Sequence, residues 1–93
     1  MNRVQLINLV TARTELRRAD VALVMDATFE TIMDEVVKGK KVSIMGFGVF
    51  EARERSARQG TDPRNGETIS IPAKLVPYFF ASKNFKESVW SQD

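Results

Sequence analysis

The sequence predicts an α+β chain with the element order α-α-β-β-β-α, and three observations carry that reading. Apolar residues recur at helical spacing as far as Lys38, alternation with a period of two begins at Lys41, and helical spacing returns after Ser82. No internal repeat or linker interrupts the order.

In RVQLINLVTAR, residues 3–13, the side chains of Val4, Leu6, Ile7, Leu9 and Val10 fall mostly on one helical stripe. Thr14-Glu15-Leu16 breaks the pattern without a proline. A longer period follows through Val21, Met25, Thr28, Phe29, Ile32 and Val36, and stops at Lys38-Gly39-Lys40. Glycine suits a helix C-cap there, and lysines suit the negative end of the dipole. The two stretches predict amphipathic helices over roughly 3–14 and 18–38, packed as a hairpin. Met25, Phe29, Ile32 and Met33 read as core or interface packing rather than as ligand positions.

KVSIMGFGVFEARERSARQG then predicts a strand over 41–45, a tight turn at Gly46-Phe47-Gly48, and a long strand over about 49–58. That second strand starts apolar with Val49 and Phe50 and becomes mostly polar after Ala52. A third strand, about 67–80, alternates through Ile69 and Ile71 and ends apolar at Val76-Pro77-Tyr78-Phe79-Phe80. Pro72 has no N–H for a ladder and suits an edge or a bulge. Ser82 fits as N-cap of a last helix over about 83–90, with Phe85 and Val89 facing inward.

Strands two and three are apolar at their outer ends and polar where they approach each other in sequence. That pattern predicts a twisted two-stranded ribbon leaving the core for solvent. Its tip is the Asp62-Pro63-Arg64-Asn65-Gly66 turn, where Asn65 and Gly66 can take positive φ. A lone two-stranded ribbon is marginal in water, so something outside the chain must order it.

Composition narrows the function. At 93 residues the chain predicts a single domain, 1–93, with 28% charged and 43% hydrophobic side chains. The apolar runs IMGFGVF and LVPYFFA are far shorter than a membrane span, and Met-Asn-Arg-Val-Gln-Leu lacks the features of a signal peptide. With neither cysteine nor histidine, there is no disulfide framework, no usual metal ligand and no usual general base, so an enzyme is not expected. Nothing calls for a cofactor, a membrane or a small-molecule substrate. The net charge of +2 lies wholly in the second half: residues 1–40 balance six Lys/Arg against six Asp/Glu, whereas 41–93 hold eight against six. Arg53, Arg55, Arg58 and Arg64 cluster on the ribbon against Glu54 and Asp62. This fits either a polyanionic partner or an ordinary solvated hairpin.

A two-stranded ribbon fits a DNA groove, and guanidinium groups suit phosphates and the narrow minor groove. Alternation places Arg53 and Arg55 on one face and Arg58 on the other, with ribbon twist blurring the distinction. Pro63 at the tip is either a wedge between base pairs or a routine turn proline.

Taken as one pattern, GFGVFEARERSARQGTDPRNGETISIPAKLVPYFFASKNFKESV (46–89) resembles the HU/IHF family of bacterial histone-like DNA-binding proteins. The match carries the Gly-Phe-Gly-x-Phe turn, the arginines at 55 and 58, Gly60, Pro63, Gly66-Glu67, the Ile-x-Ile-Pro-Ala run at 69–73, Val76-Pro77, Phe79 and Lys83. MNRVQLINLV and the two-helix length agree as well, so the resemblance covers essentially the whole chain.

It implies an intertwined homodimer with a helical body and two projecting β-ribbon arms that wrap the minor groove of double-stranded DNA, each with Pro63 intercalated. It further implies that Phe29, Phe47, Phe50 and Phe79 form core and dimer interface, and that Arg53, Arg55, Arg58 and Arg64 meet phosphates or the groove floor. Arg3, Lys74, Lys83 and Lys86 fall on or beside the family's basic flanks, and Lys83 would act with the helix N-terminus on a phosphate. Arg3 and Lys86 fit ordinary surface charge equally well. A cytoplasmic, nucleoid-associated protein that bends or compacts DNA with little sequence preference is expected. The alternatives are a sequence-selective bender of the IHF type and a scaffold that has kept the fold while DNA binding weakened.

Some positions depart from the family pattern. Thr61, Asp62, Ser70 and Phe80 stand where basic residues or an asparagine are usual, and the net charge is low, so a preference for bent, nicked or otherwise distorted DNA is expected. Arg17 stands where a Ser/Thr cap is usual for the second helix, and Ser82 where glycine usually precedes Lys83.

Overall fold

Asn2 starts the first helix by side-chain chemistry. Its Oδ1 accepts the Gln5 N–H at 2.9 Å, and Gln5 Oε1 accepts the Asn2 N–H at 3.0 Å, a reciprocal cap on α1 (Arg3–Thr14). The computed structural model describes residues 1–91, which divide into two compact units, Met1–Asp34 and the part from Glu35 onward.

In the first unit, α1 stops at Glu15, whose backbone turns left-handed (φ 59, ψ 17) so that its N–H reaches the Thr11 carbonyl at 3.1 Å. The second helix, α2 (Arg18–Val37), begins without a side-chain cap, and the Arg17 carbonyl takes the N–H groups of Asp20 and Val21, each at 3.0 Å. Arg18 Nε donates to Asn8 Oδ1 at 2.8 Å and Arg3 Nε to Asp26 Oδ1 at 2.9 Å, tying α1 to α2 across the hairpin.

Among the described residues, only Ile7, Val21 and Val36 are buried hydrophobic side chains. Leu9, Leu23, Val24, Phe29 and Met33 all lie exposed on the helices, Leu23 by 69%. An isolated soluble protomer rarely shows so much apolar surface, so this chain is one that folds against another.

From Glu35 onward the described residues form five strand segments rather than the three expected: β1 (Val42–Ile44), β2 (Gly48–Arg55), β3 (Arg58–Thr61), β4 (Thr68–Ile71) and β5 (Lys74–Ala81). β1, β2 and β5 form one antiparallel sheet in the order β1-β2-β5, and β3 pairs only with β4. Both ladders keep one register, because Arg55↔Lys74 before the gap continues as Arg58↔Ile71 after it. Each long strand is therefore interrupted rather than shifted. Ser56-Ala57 and Pro72-Ala73 lie in the gap, and Pro72 makes no bulge but sits where its missing N–H takes a rung from the ladder.

One face of the first sheet is closed by aromatics. Phe79 lies 4.7 Å from Phe50 and 5.2 Å from Phe47, ring centre to ring centre, and Phe47 stacks on Phe85 at 5.6 Å. Phe85 belongs to α3 (Lys83–Trp90), which Ser82 caps by accepting the Phe85 N–H at 3.2 Å. Val89, expected to face inward on that helix, is instead 59% exposed. Gly48 lets β2 pass beneath the cluster: a Cβ there would lie 2.6 Å from the Phe79 ring and run into the Phe80 carbonyl. Among the described residues no helix is long and apolar enough to cross a membrane.

Candidate nucleic-acid interface

The tip is a four-residue loop, Pro63–Gly66, whose flanking residues carry the pairing one step beyond β3 and β4: the Asp62 N–H donates to the Glu67 carbonyl at 2.7 Å. Inside it, the Gly66 N–H reaches the Asp62 carbonyl at 2.8 Å, with Gly66 at φ 73, a conformation that side chains resist. Two side chains pin the backbone: Asp62 Oδ1 accepts the Arg64 N–H, and Asn65 Oδ1 accepts the Glu67 N–H, both at 2.9 Å. Asp62 thus serves the turn, with its carboxylate only 15% exposed, while also standing 3.5 Å from Arg64 Nε. Pro63 and Arg64 themselves face solvent.

Along the ribbon, β-alternation puts Glu51, Arg53 and Arg55 on one face, opposite Tyr78, Val76 and Lys74 of β5. Arg53 is held there: its guanidinium lies 4.7 Å from the Phe80 ring centre and 5.2 Å from that of Tyr78, and its Nε is 3.4 Å from Glu51. Glu51 also takes Lys41 at 3.3 Å. Arg55, Arg58, Lys74 and Lys86 have no acidic partner within ion-pair distance among the described residues. Arg58 opens β3 and borders a shallow hollow at the ladder gap with Ala57, Ile71 and Pro72. Lys83 is the first residue of α3, within 3.9 Å of Glu87 one turn on.

Two predicted residues, Phe29 and Arg3, belong to the unit Met1–Asp34. Phe29 is on α2, 42% exposed. Arg3 is on α1 and engaged by Asp26, and its guanidinium, by donating hydrogen bonds, holds the Asp26 carboxyl below its ordinary value.

Tyr78 and Phe80 were not foreseen as the rings beside Arg53. Their signal was present in the alternation, which places both on the arginine-bearing face of β5, but Phe80 reads first as a lost cation.

A family model described as "Bacterial DNA-binding protein" matches residues 1–90. The chain belongs to this HU/IHF-type family. DNA-binding protein HU 1 of Bacillus subtilis is 46% identical over 89 residues, covering 96% of this chain and 97% of the relative. Among solved structures, an Anabaena HU–DNA cocrystal structure is similar with a TM-score of 0.94 and 40% identity, covering 99% of this chain and 100% of that one. HU from Thermotoga maritima follows at a TM-score of 0.69 and 32% identity, covering 96% and 98%. This HU-type chain has an arm, a pinned tip and an aromatic cluster on one sheet face, with Tyr78 and Phe80 on the other.

Proposed function

We propose that the chain, 1–93, acts as a single architectural DNA-binding domain. It is a homodimer whose two β-ribbon arms enter the minor groove and bend or compact double-stranded DNA with little sequence preference. The observation that carries this is the arm itself: a pinned turn presenting Pro63 to solvent at the end of a ribbon lined by Arg55, Arg58 and Arg64. A rigid proline held this way can enter a base step, and the unstacking it imposes is offset by contacts along the bent duplex. The exposed apolar helix face supports the dimer, with Phe29, Phe47, Phe50 and Phe79 in its core.

Arg53, Arg55, Arg58 and Arg64 bind phosphates or the groove floor, and Lys74, Lys83, Lys86 and Arg3 flank them on the body. Of these, Arg53, Arg64, Lys83 and Arg3 already have partners, so they contribute less than their number implies. The protein is non-enzymatic, cytoplasmic and nucleoid-associated, and it prefers bent or nicked duplex.

Fluorescence anisotropy of labelled intact and nicked duplex across a salt series tests this. Binding that weakens steeply with salt and is tighter for the nicked duplex is expected. Absence of binding at low salt would refute it, and Pro63→Ala must reduce bending, read by end-to-end energy transfer, more than affinity for undistorted DNA.

A further inference from the structure

We propose that Tyr78 and Phe80, on the charged face of the β1-β2-β5 sheet, form a stacking platform for an unpaired nucleotide of single-stranded or gapped DNA. This rests on the DNA-binding function proposed above and adds to it a second, chemically different contact.

The two rings sit 4.5 Å apart, centre to centre, inclined at 42°, and Tyr78 is 45% exposed. They are not part of the hydrophobic core, because Phe50 and Phe79 occupy the other face and pack there with Phe47 and Phe85. Nor does their face suit an apolar protein partner, since Glu51, Arg53, Arg55 and Lys74 share it. What the face offers is aromatic surface edged by cations. Arg53 lies over both rings, and Glu51 fixes it in place at 3.4 Å. A guanidinium so placed adds its own planar face to the platform.

Arg55 and Lys74, directly opposite each other in the ladder and without acidic partners among the described residues, supply the phosphate contacts. Lys74 lies four positions from Tyr78, about 13 Å by strand rise, within reach of the backbone of a nucleotide stacked on the ring. In an intact duplex both faces of each base are covered by its neighbours, so this surface has nothing to stack on. At a gap or in a single strand the face is free, and base–aromatic stacking then becomes available.

The test uses the full-length dimer and the double variant Tyr78→Leu/Phe80→Leu, which keeps apolar bulk but removes the rings. Anisotropy is measured at one salt concentration with labelled oligothymidylate, a duplex carrying a short gap, and the same duplex intact. Affinity for oligothymidylate and gapped duplex is expected to fall at least about fivefold, the lower end of stacking on a single base, while intact-duplex affinity stays within about twofold. Tyr78→Phe keeps the ring and retains the wild-type affinity for oligothymidylate. Circular dichroism and urea midpoints matching the wild type confirm that the variants are folded.

Unchanged oligothymidylate binding by the double variant overturns the platform. So does an equal loss on all three probes, because the rings would then only shape the sheet. A wild-type protein that binds oligothymidylate through these rings but no duplex would refute the architectural function and leave the platform standing.

Discussion

Replacing Asp62 with asparagine separates the charge at the arm tip from the turn it builds. Asp62 Oδ1 accepts the Arg64 N–H at 2.9 Å, and an amide oxygen in the same place accepts it as well. What disappears is a carboxylate that stands 3.5 Å from Arg64 Nε and, on the proposed function, would repel phosphates beside Pro63. A dimer has two tips, so the substitution removes two negative charges and frees two guanidinium groups for DNA. Each phosphate neutralised contributes about −0.9 to the slope of log K against log salt, so the slope steepens by up to about 1.8. Between about 50 and 200 mM salt, that is an extra loss of about tenfold, with the variant the tighter binder at the low end.

The assay is anisotropy on one duplex across that range, with Asp62→Ala alongside. Alanine removes both charge and acceptor, leaving the Arg64 N–H without its partner and the turn looser, so its gain is smaller than that of asparagine. A salt slope identical for wild type and Asp62→Asn would show that the tip does not approach phosphates, and the assignment of Pro63 as the wedge would fall with it.

Three further outcomes follow from the packing. Gly48→Ala places a methyl 2.6 Å from the Phe79 ring and against the Phe80 carbonyl, so it lowers stability by about 1–3 kcal/mol in urea unfolding at fixed protein concentration. An unchanged midpoint would refute the close approach of β2 to β5. Glu15→Gly relieves a left-handed backbone at the end of α1 and, after the added freedom of the unfolded chain, raises stability by roughly 0.5–1 kcal/mol in the same assay. The hydrogen bonds from Arg3 hold the folded Asp26 carboxyl below its ordinary value of 3.8, so what the pair contributes is present above that pH and is lost as pH falls through the lower folded value. Asp26→Asn therefore flattens the acid limb of urea midpoint against pH, and an unaltered limb would mean that the pair is not formed in solution.

The helices were legible because each signal is local. The stripe from Val4 to Val10 and the longer one from Val21 to Val36 place α1 and α2 within a residue of where they lie, and the tip is announced by the turn chemistry of Asp62 to Gly66. The aromatic cluster of Phe47, Phe50 and Phe79 was implied by the family resemblance, in agreement with the apolar pattern of those positions, and the three rings do meet. Other features depended on which atoms meet. Alternation assigns Arg53 to a face but cannot say that two rings and Glu51 will occupy its guanidinium. Pro72 announced a disturbed strand, yet only the shared register of the two ladders distinguishes a skipped rung from a bulge. Asp62 was legible as a turn former, and its Oδ1 does accept the Arg64 N–H, while its place 3.5 Å from Arg64 Nε depends on which atoms meet. Val89 has helical spacing with Phe85 but is 59% exposed, which spacing alone does not decide.

The gap at Ser56-Ala57 and Pro72-Ala73 has a kinetic consequence. Because no ladder rung crosses it, the two-stranded tip can close on a groove without disturbing the sheet behind it. On the proposed function, the two arms of a dimer would seat on a duplex in turn. Once the first tip is seated, capture of the second becomes an intramolecular step governed by effective concentration, and escape requires both tips to release together. Residence on DNA is then set by valency, so a dimer in which one protomer lacks its tip should land almost as readily as the intact one and leave far sooner.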